Sequence, residues 1–238
     1  MNTPSTFPAS PSTSAPPRRG VPVWDAPVRL VHGLLIACFA GAWLTAESER
    51  LRGVHETLGW TMLGLVAFRI VWGFVGTRHA RFASFVRGPG AALAHLKALL
   101  ARRAGHDGAG HNPAGGLAVL ALLAGIALAA GSGWAAGTGF GGHAVEELHE
   151  GVVHVLLALV AVHVAAVLLT GVLLRRNLVA AMVTGRADVA PSEGIGRARR
   201  GVALGVLAAV LAFWAWQWHS LPVLPAGTAA SAREHDDD

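Results

Sequence analysis

The chain has 238 residues, of which 53% are hydrophobic and only 14% charged, a balance with far less polar coding than a water-soluble domain requires. The formal charge of +5 comes from Lys and Arg clustered between apolar runs, with no interleaved aromatics. That pattern excludes a nucleic-acid face and suits the loops of a membrane protein.

The first twenty residues, "MNTPSTFPASPSTSAPPRRG", are polar and rich in Pro, Ser and Thr where a signal peptide would carry an apolar core. Residues 1–20 are therefore expected to be disordered. Five apolar runs follow, each long enough for the roughly 20 residues that a bilayer core of about 30 Å demands. They extend from about Val28 to Ala46, Val54 to Val75, Gly115 to Ala136, Glu147 to Leu174 and Val202 to Trp218. The first contains Cys38, the only cysteine, which excludes an internal disulfide and a cysteine-based metal site and reads as a small buried apolar residue. The third is rich in Ala and Gly, as closely packed membrane helices are. Trp214, Trp216 and Trp218 near the end of the fifth suit an interfacial belt. The tail 221–238, ending in "REHDDD", reads as disordered.

Lys and Arg in the connections set the expected orientation. Arg18, Arg19 and Arg29 precede or open the first span, and Arg78, Arg81, Arg87, Lys97, Arg102 and Arg103 lie between the second and third. Arg175, Arg176, Arg186, Arg197, Arg199 and Arg200 lie between the fourth and fifth, and none between the third and fourth. Only the first connection is mixed, with Arg50 and Arg52 beside Glu47 and Glu49. The N-terminus is thus expected in the cytoplasm and the C-terminus outside.

Of twelve histidines, His79, His95, His106, His111, His143 and His235 fall in loops or tails and read as solvated surface, while His219 ends a helix. The informative ones are His32, His55, His149, His154 and His163, because an ionisable side chain at membrane depth usually faces the bundle interior and serves a function. His149 and His163 are fourteen residues apart. On an ideal helix that is about 40° short of four turns and about 21 Å of rise, so they share a face and lie near opposite surfaces. His154 points elsewhere and reads as a neutral imidazole bonded to a neighbouring hydroxyl or carbonyl. With alternating spans, His55 shares a depth with His149, and His32 with His163. Two pairs, each from two helices at one depth, suit two bis-histidine haems inside an all-α membrane bundle, whereas zinc would want three or four ligands at one level.

Arg69 lies fourteen residues after His55, on nearly the same face and at the inner depth. No acidic residue lies inside a span at that level, so a haem propionate is the expected counter-charge; the alternative is that Arg69 snorkels to the interface. Gly59, one turn after His55, leaves room for a flat macrocycle or for a helix contact.

These stretches resemble the bacterial cytochrome b561 and nickel-iron hydrogenase cytochrome b family over about Val23 to Gly185. The carriers are "VWDAPVRLVHG", "HETLGWTMLGLVAFRIVWGFVGTRHARF", "GHNPAGG", "ELHE" and "NLVAAMVTG". The resemblance implies a membrane b-type cytochrome passing electrons between a quinone pool and a redox partner such as a hydrogenase or a c-type cytochrome. His32, His55, His149 and His163 match the family's ligand positions, and Arg69 a position often filled by arginine near the inner haem. The chain departs at His79, where many relatives carry an aromatic residue, which alters the cytoplasmic loop but not ligation. A fifth helix occurs in part of the group only.

The expected organisation is a di-haem four-helix domain over 21–186, then a linker and fifth transmembrane helix over 187–220. The expected function is a two-haem b electron carrier of the bacterial cytoplasmic membrane, in a respiratory-type chain, with quinone as a substrate. Glu56, Glu146, Glu147 and Glu150 are the outer-side carboxylates available for proton-coupled quinone chemistry; each also reads as an interfacial carboxylate. The rivals are a stand-alone oxidoreductase acting on superoxide or ferric iron, a metal or proton transporter using the same histidines, and a structural anchor for a partner complex. A transporter predicts an internal repeat or broken helices, and neither is present in the sequence.

Overall fold

The computed structural model describes residues 20–101, 103 and 110–220. The segments expected to be disordered, Gly20 apart, lie outside the described residues, as do His106, His235, Arg18, Arg19 and Arg102. The fold is an all-α membrane helix bundle with five helices long and apolar enough to cross a bilayer.

Helix α1 runs over Ala26–Thr45, α2 over Arg52–Val75, α4 over Pro113–Gly137, α5 over His143–Leu173 and α7 over Arg200–Ser220. Each matches the expected apolar run to within a residue at its C-terminal end, α7 running two further, and begins two to four residues earlier, because the first turn of a helix can be polar where hydropathy does not register it. Asp25 caps α1 by accepting from Val28 N at 2.9 Å, with Pro27 in the first turn, and Asn112 caps α4 in front of Pro113. Helix α5 has 31 residues, about 46 Å at the usual rise, so it stands proud of an apolar core about 30 Å thick. Its only buried residues are Leu156 and Thr170. So bare an apolar surface is stable against lipid and not against water.

Two helices were not expected. The connection after α2 holds α3, Gly88–Leu100, which packs against α4, and the one after α5 holds α6, Leu178–Thr184, capped by Asn177 and ended by Gly185 at φ 79°. The basic connections are thus folded rather than open loops. Strand β1, Val21–Pro22, pairs antiparallel with β2, Arg186–Ala187, so the start of α1 is stitched to the segment after α6. Ala26 N donates to Ala198 O at 2.8 Å, and Arg29 donates to the carbonyls of Met182 and Val183 at the end of α6.

Helix pairs α1–α2 and α4–α5 pack side by side, α2 bridges to α4, and α7 lies against α1 and α2. The core joins Cys38 and Ala42 of α1, Met62 and Val66 of α2, Leu123, Ile126 and Ala129 of α4, and Leu156 of α5. Leu156 falls seven residues from both His149 and His163, so one stripe of α5 reads histidine, leucine, histidine. Helix α7 is fastened to α2 by Trp214 Nε1 donating to Thr61 Oγ1 at 2.9 Å, with Val210 packed against Val31 and Leu65. Between α2 and α7 lies an apolar groove of about 570 Å³.

Candidate functional site

At one end of the bundle the His55 and His149 rings lie with centroids 6.4 Å apart and planes at 84°. Two metal–imidazole bonds of about 2 Å, plus about 1 Å from each ring nitrogen to its centroid, span roughly 6 Å. The rings thus stand at the spacing of two ligands sharing one iron. His55 Nδ1 lies 2.9 Å from Ala42 O, and His149 Nδ1 lies 3.0 Å from Ala129 O. A carbonyl only accepts, so both Nδ1 atoms carry the proton, and the neutral ring's lone pair is left on Nε2. This is the outer-shell arrangement that fixes tautomer and ring orientation in metal-binding histidines.

Local helix structure makes both carbonyls available. Ala46 N bonds Trp43 O rather than Ala42 O, so in the last turn of α1 the Ala42 carbonyl lacks its helical N–H donor and accepts from side chains, from His55 and, at 3.2 Å, from Thr45 Oγ1. Ala129 lies within α4, four residues before Gly133. A Cβ at Gly133 would stand 2.9 Å from His149 Cε1, so only glycine lets the ring settle against α4 at this carbonyl. Ser132 Oγ lies 3.2 Å from the same Nδ1. Beside Gly59 there is open space, with no atom within 4 Å of where a Cβ would be.

At the other end, His32 and His163 are both half-buried and lie within electrostatic reach of each other. Arg69 is 6% exposed and does not snorkel. Its guanidinium lies over the Phe82 ring, 5.2 Å from the centroid, and its Nη1 is buried without a hydrogen-bond partner.

One acid lies close to this level, as the cap just outside the α1 span. Asp25, 1% exposed, lies in the field of Arg69. Its oxygens already accept from Val28 N at 2.9 Å, Trp72 Nε1 at 3.0 Å and Thr77 Oγ1 at 2.7 Å. Asp25 therefore ties the start of α1 to the end of α2. Because the residue precedes the apolar run, hydropathy does not single it out.

Two loop histidines expected at the solvated surface belong instead to this end. His79 is buried, donates from Nε2 to Glu193 O at 2.7 Å and sets its ring edge-on to Trp24 at 6.4 Å. It packs as a ring against Trp24 while also fastening the segment before α7. His111 sits between the Trp24 and Phe85 rings, 4.7 Å from each centroid, with Nδ1 buried and unpartnered. Burial, with Arg69, His163, His32 and His79 nearby, holds its pKa down at about 3. The signal that could have found His111 is its place one residue before the Asn112 cap, which commits it to the packed start of α4.

His154 is exposed; its Nδ1 lies 2.9 Å from Glu150 O on its own helix, and its ring meets Trp43 edge-on. It joins neither histidine pair. Glu56 is exposed and paired with Arg52 at 3.1 Å, while Glu146 and Glu147 flank the exposed His143. The carboxylates thus lie at the rim of the His55–His149 end. Among the described residues no group of three or more potential metal-ligating side chains converges.

Five helices able to cross a bilayer, with His55 beside His149 at one end and His32 near His163 at the other, define a multi-pass membrane protein that holds imidazoles inside its bundle. The chain belongs to the prokaryotic cytochrome b561 family, whose model, Ni_hydr_CYTB, matches residues 23–185. It is a membrane b-type cytochrome of electron transfer, and the family implies haem b. The match spans α1 to α6 and leaves α7 beyond it. No curated protein and no solved structure gave a match.

Proposed function

We propose that this chain carries two haem b groups, one held by His55 and His149 and the other by His32 and His163, and conducts electrons between a quinone pool and a redox partner. The observation that carries this reading is the His55–His149 pair: rings 6.4 Å apart, each with Nδ1 committed to a backbone carbonyl. The second pair is supported by α5, on which His163 returns to the face of His149 after the buried Leu156. When bound, haem b supplies one-electron redox chemistry.

The protein's part is ligation, orientation and exclusion of water. Ala42 O and Ala129 O accept the Nδ1 protons, raising the basicity of each Nε2 toward iron. The core around Met62, Leu123 and Leu156 separates the two levels with apolar side chains. Arg69 presents an unpartnered guanidinium nitrogen to a propionate at the His32–His163 level. The basic residues of the α2–α4 and α5–α7 connections lie beyond that level, which supports a cytoplasmic N-terminus. The apolar groove between α2 and α7, lined by Gly64, Phe68, Val206 and Phe213, offers a lipid-side path for a prenyl chain.

A reduced-minus-oxidised spectrum with haem quantitation tests the assignment. Wild type is expected to hold two haems, and His32→Ala, His55→Ala, His149→Ala and His163→Ala one each, with His154→Ala unchanged. A normal spectrum for His149→Ala or His163→Ala would overturn it.

A further inference from the structure

We propose that His111 is a second donor to the propionate that Arg69 receives, so that the segment before α4 and helix α2 close on one haem carboxylate from two sides; this rests on the reading of a haem at His32 and His163. Three observations converge. His111 Nδ1 and Arg69 Nη1 are both buried polar atoms without a partner. They lie within each other's field, and His111 also within that of His32 and His163, which places the two unmet groups at one ligand pair. The only acid described there, Asp25, already accepts three hydrogen bonds.

Leaving a buried donor unmet costs about 1–3 kcal/mol, and two within each other's field argue for an acceptor with two oxygens. A carboxylate has that valence and compensates the guanidinium. The His111 ring is held for this between Trp24 and Phe85, and Gly110 brings the chain so close to His79 that a Cβ would stand 3.0 Å from its Nδ1. Held neutral by burial, the imidazole acts as a hydrogen-bond donor and adds no second charge beside Arg69.

The test uses the full chain in detergent, loaded with haem b or with its dimethyl ester, which lacks carboxylates, and titrates both haem potentials. His111→Phe keeps a ring between Trp24 and Phe85 but removes the donor; His111→Gln removes the ring but keeps a donor. With haem b, His111→Phe is expected to lower one potential, since an under-bonded propionate favours ferric iron, while His111→Gln stays near wild type. With the ester, neither variant shifts relative to wild type. The reverse pattern, with Gln shifting and Phe silent, shows a packing role and overturns the proposal, as does an equal shift with both haem forms or no shift for His111→Phe. Wild type with fewer than two haems overturns the underlying two-haem reading instead, and this inference with it.

Discussion

Gly133 and Asp25 are the two residues whose replacement separates haem seating from general stability. In Gly133→Ala the new methyl meets His149, 2.9 Å from Cε1, and has to push the ring off Ala129 O. The expected outcome is partial loss of one haem of two, with little change in helix content by far-UV dichroism. Asp25→Asn keeps the side chain's size, but an amide turned to satisfy the donor of Val28 or Thr77 opposes another N–H or O–H. Charge-assisted bonds of this kind contribute about 1.5–3 kcal/mol each. The midpoint of thermal unfolding in detergent should fall while two haems still bind before the transition. At this scale the sequence was informative about imidazoles at membrane depth, because a polar group in a long apolar run stands out. Residues flanking the runs were not: Asp25, His79 and His111 look solvated in a hydropathy profile and are packed by neighbours distant in sequence.

Among the elements, α7 poses the sharpest question, since the family match ends before it. Its hold on α2 centres on Trp214 and Thr61, so Trp214→Phe should weaken docking by about 1 kcal/mol, the usual net contribution of one hydrogen bond. Limited proteolysis between α6 and α7 would show it as faster cleavage. If the α2–α7 groove admits a prenyl chain, Val206→Trp fills it. Haem reduction by a long-chain quinol should then slow, while reduction by dithionite stays as in wild type; equal slowing of both would reject the groove as the route. All five spanning helices were legible because each carries a long, predominantly apolar run. Helix α3 was not, since its 13 residues open with Gly88, Pro89 and Gly90 and fall short of any spanning length. Its partner is α4, and nothing local to the segment announces that.

At the scale of the molecule, the bundle is organised by a seven-residue ruler: His55, Met62 and Arg69 along α2, and His149, Leu156 and His163 along α5. Seven residues fall about 20° short of two full turns, so a face persists over the width of a membrane without supercoiling. One alanine inserted between Leu156 and His163 would swing His163 by about 100° and leave His149 in place. Such a variant should lose one haem and keep the other, with the surviving spectrum matching that of His163→Ala. Two haems in the insertion variant would show that α5 does not set the register of both levels.

The bonds from His55 and His149 to the carbonyls of Ala42 and Ala129 carry a consequence for inheritance. A carbonyl is present whatever amino acid is encoded, so these acceptors pass unchanged through mutations that would erase an aspartate in the same role. No codon specifies them, and no comparison of side chains reveals them. The point where α1 ends and the missing methyl at Gly133 are what selection can act on. Probing them takes chemistry on the main chain itself: an ester in place of the amide that joins Ala42 to Trp43, or Ala129 to Ala130, would weaken the accepting carbonyl and retune an imidazole without changing a single side chain.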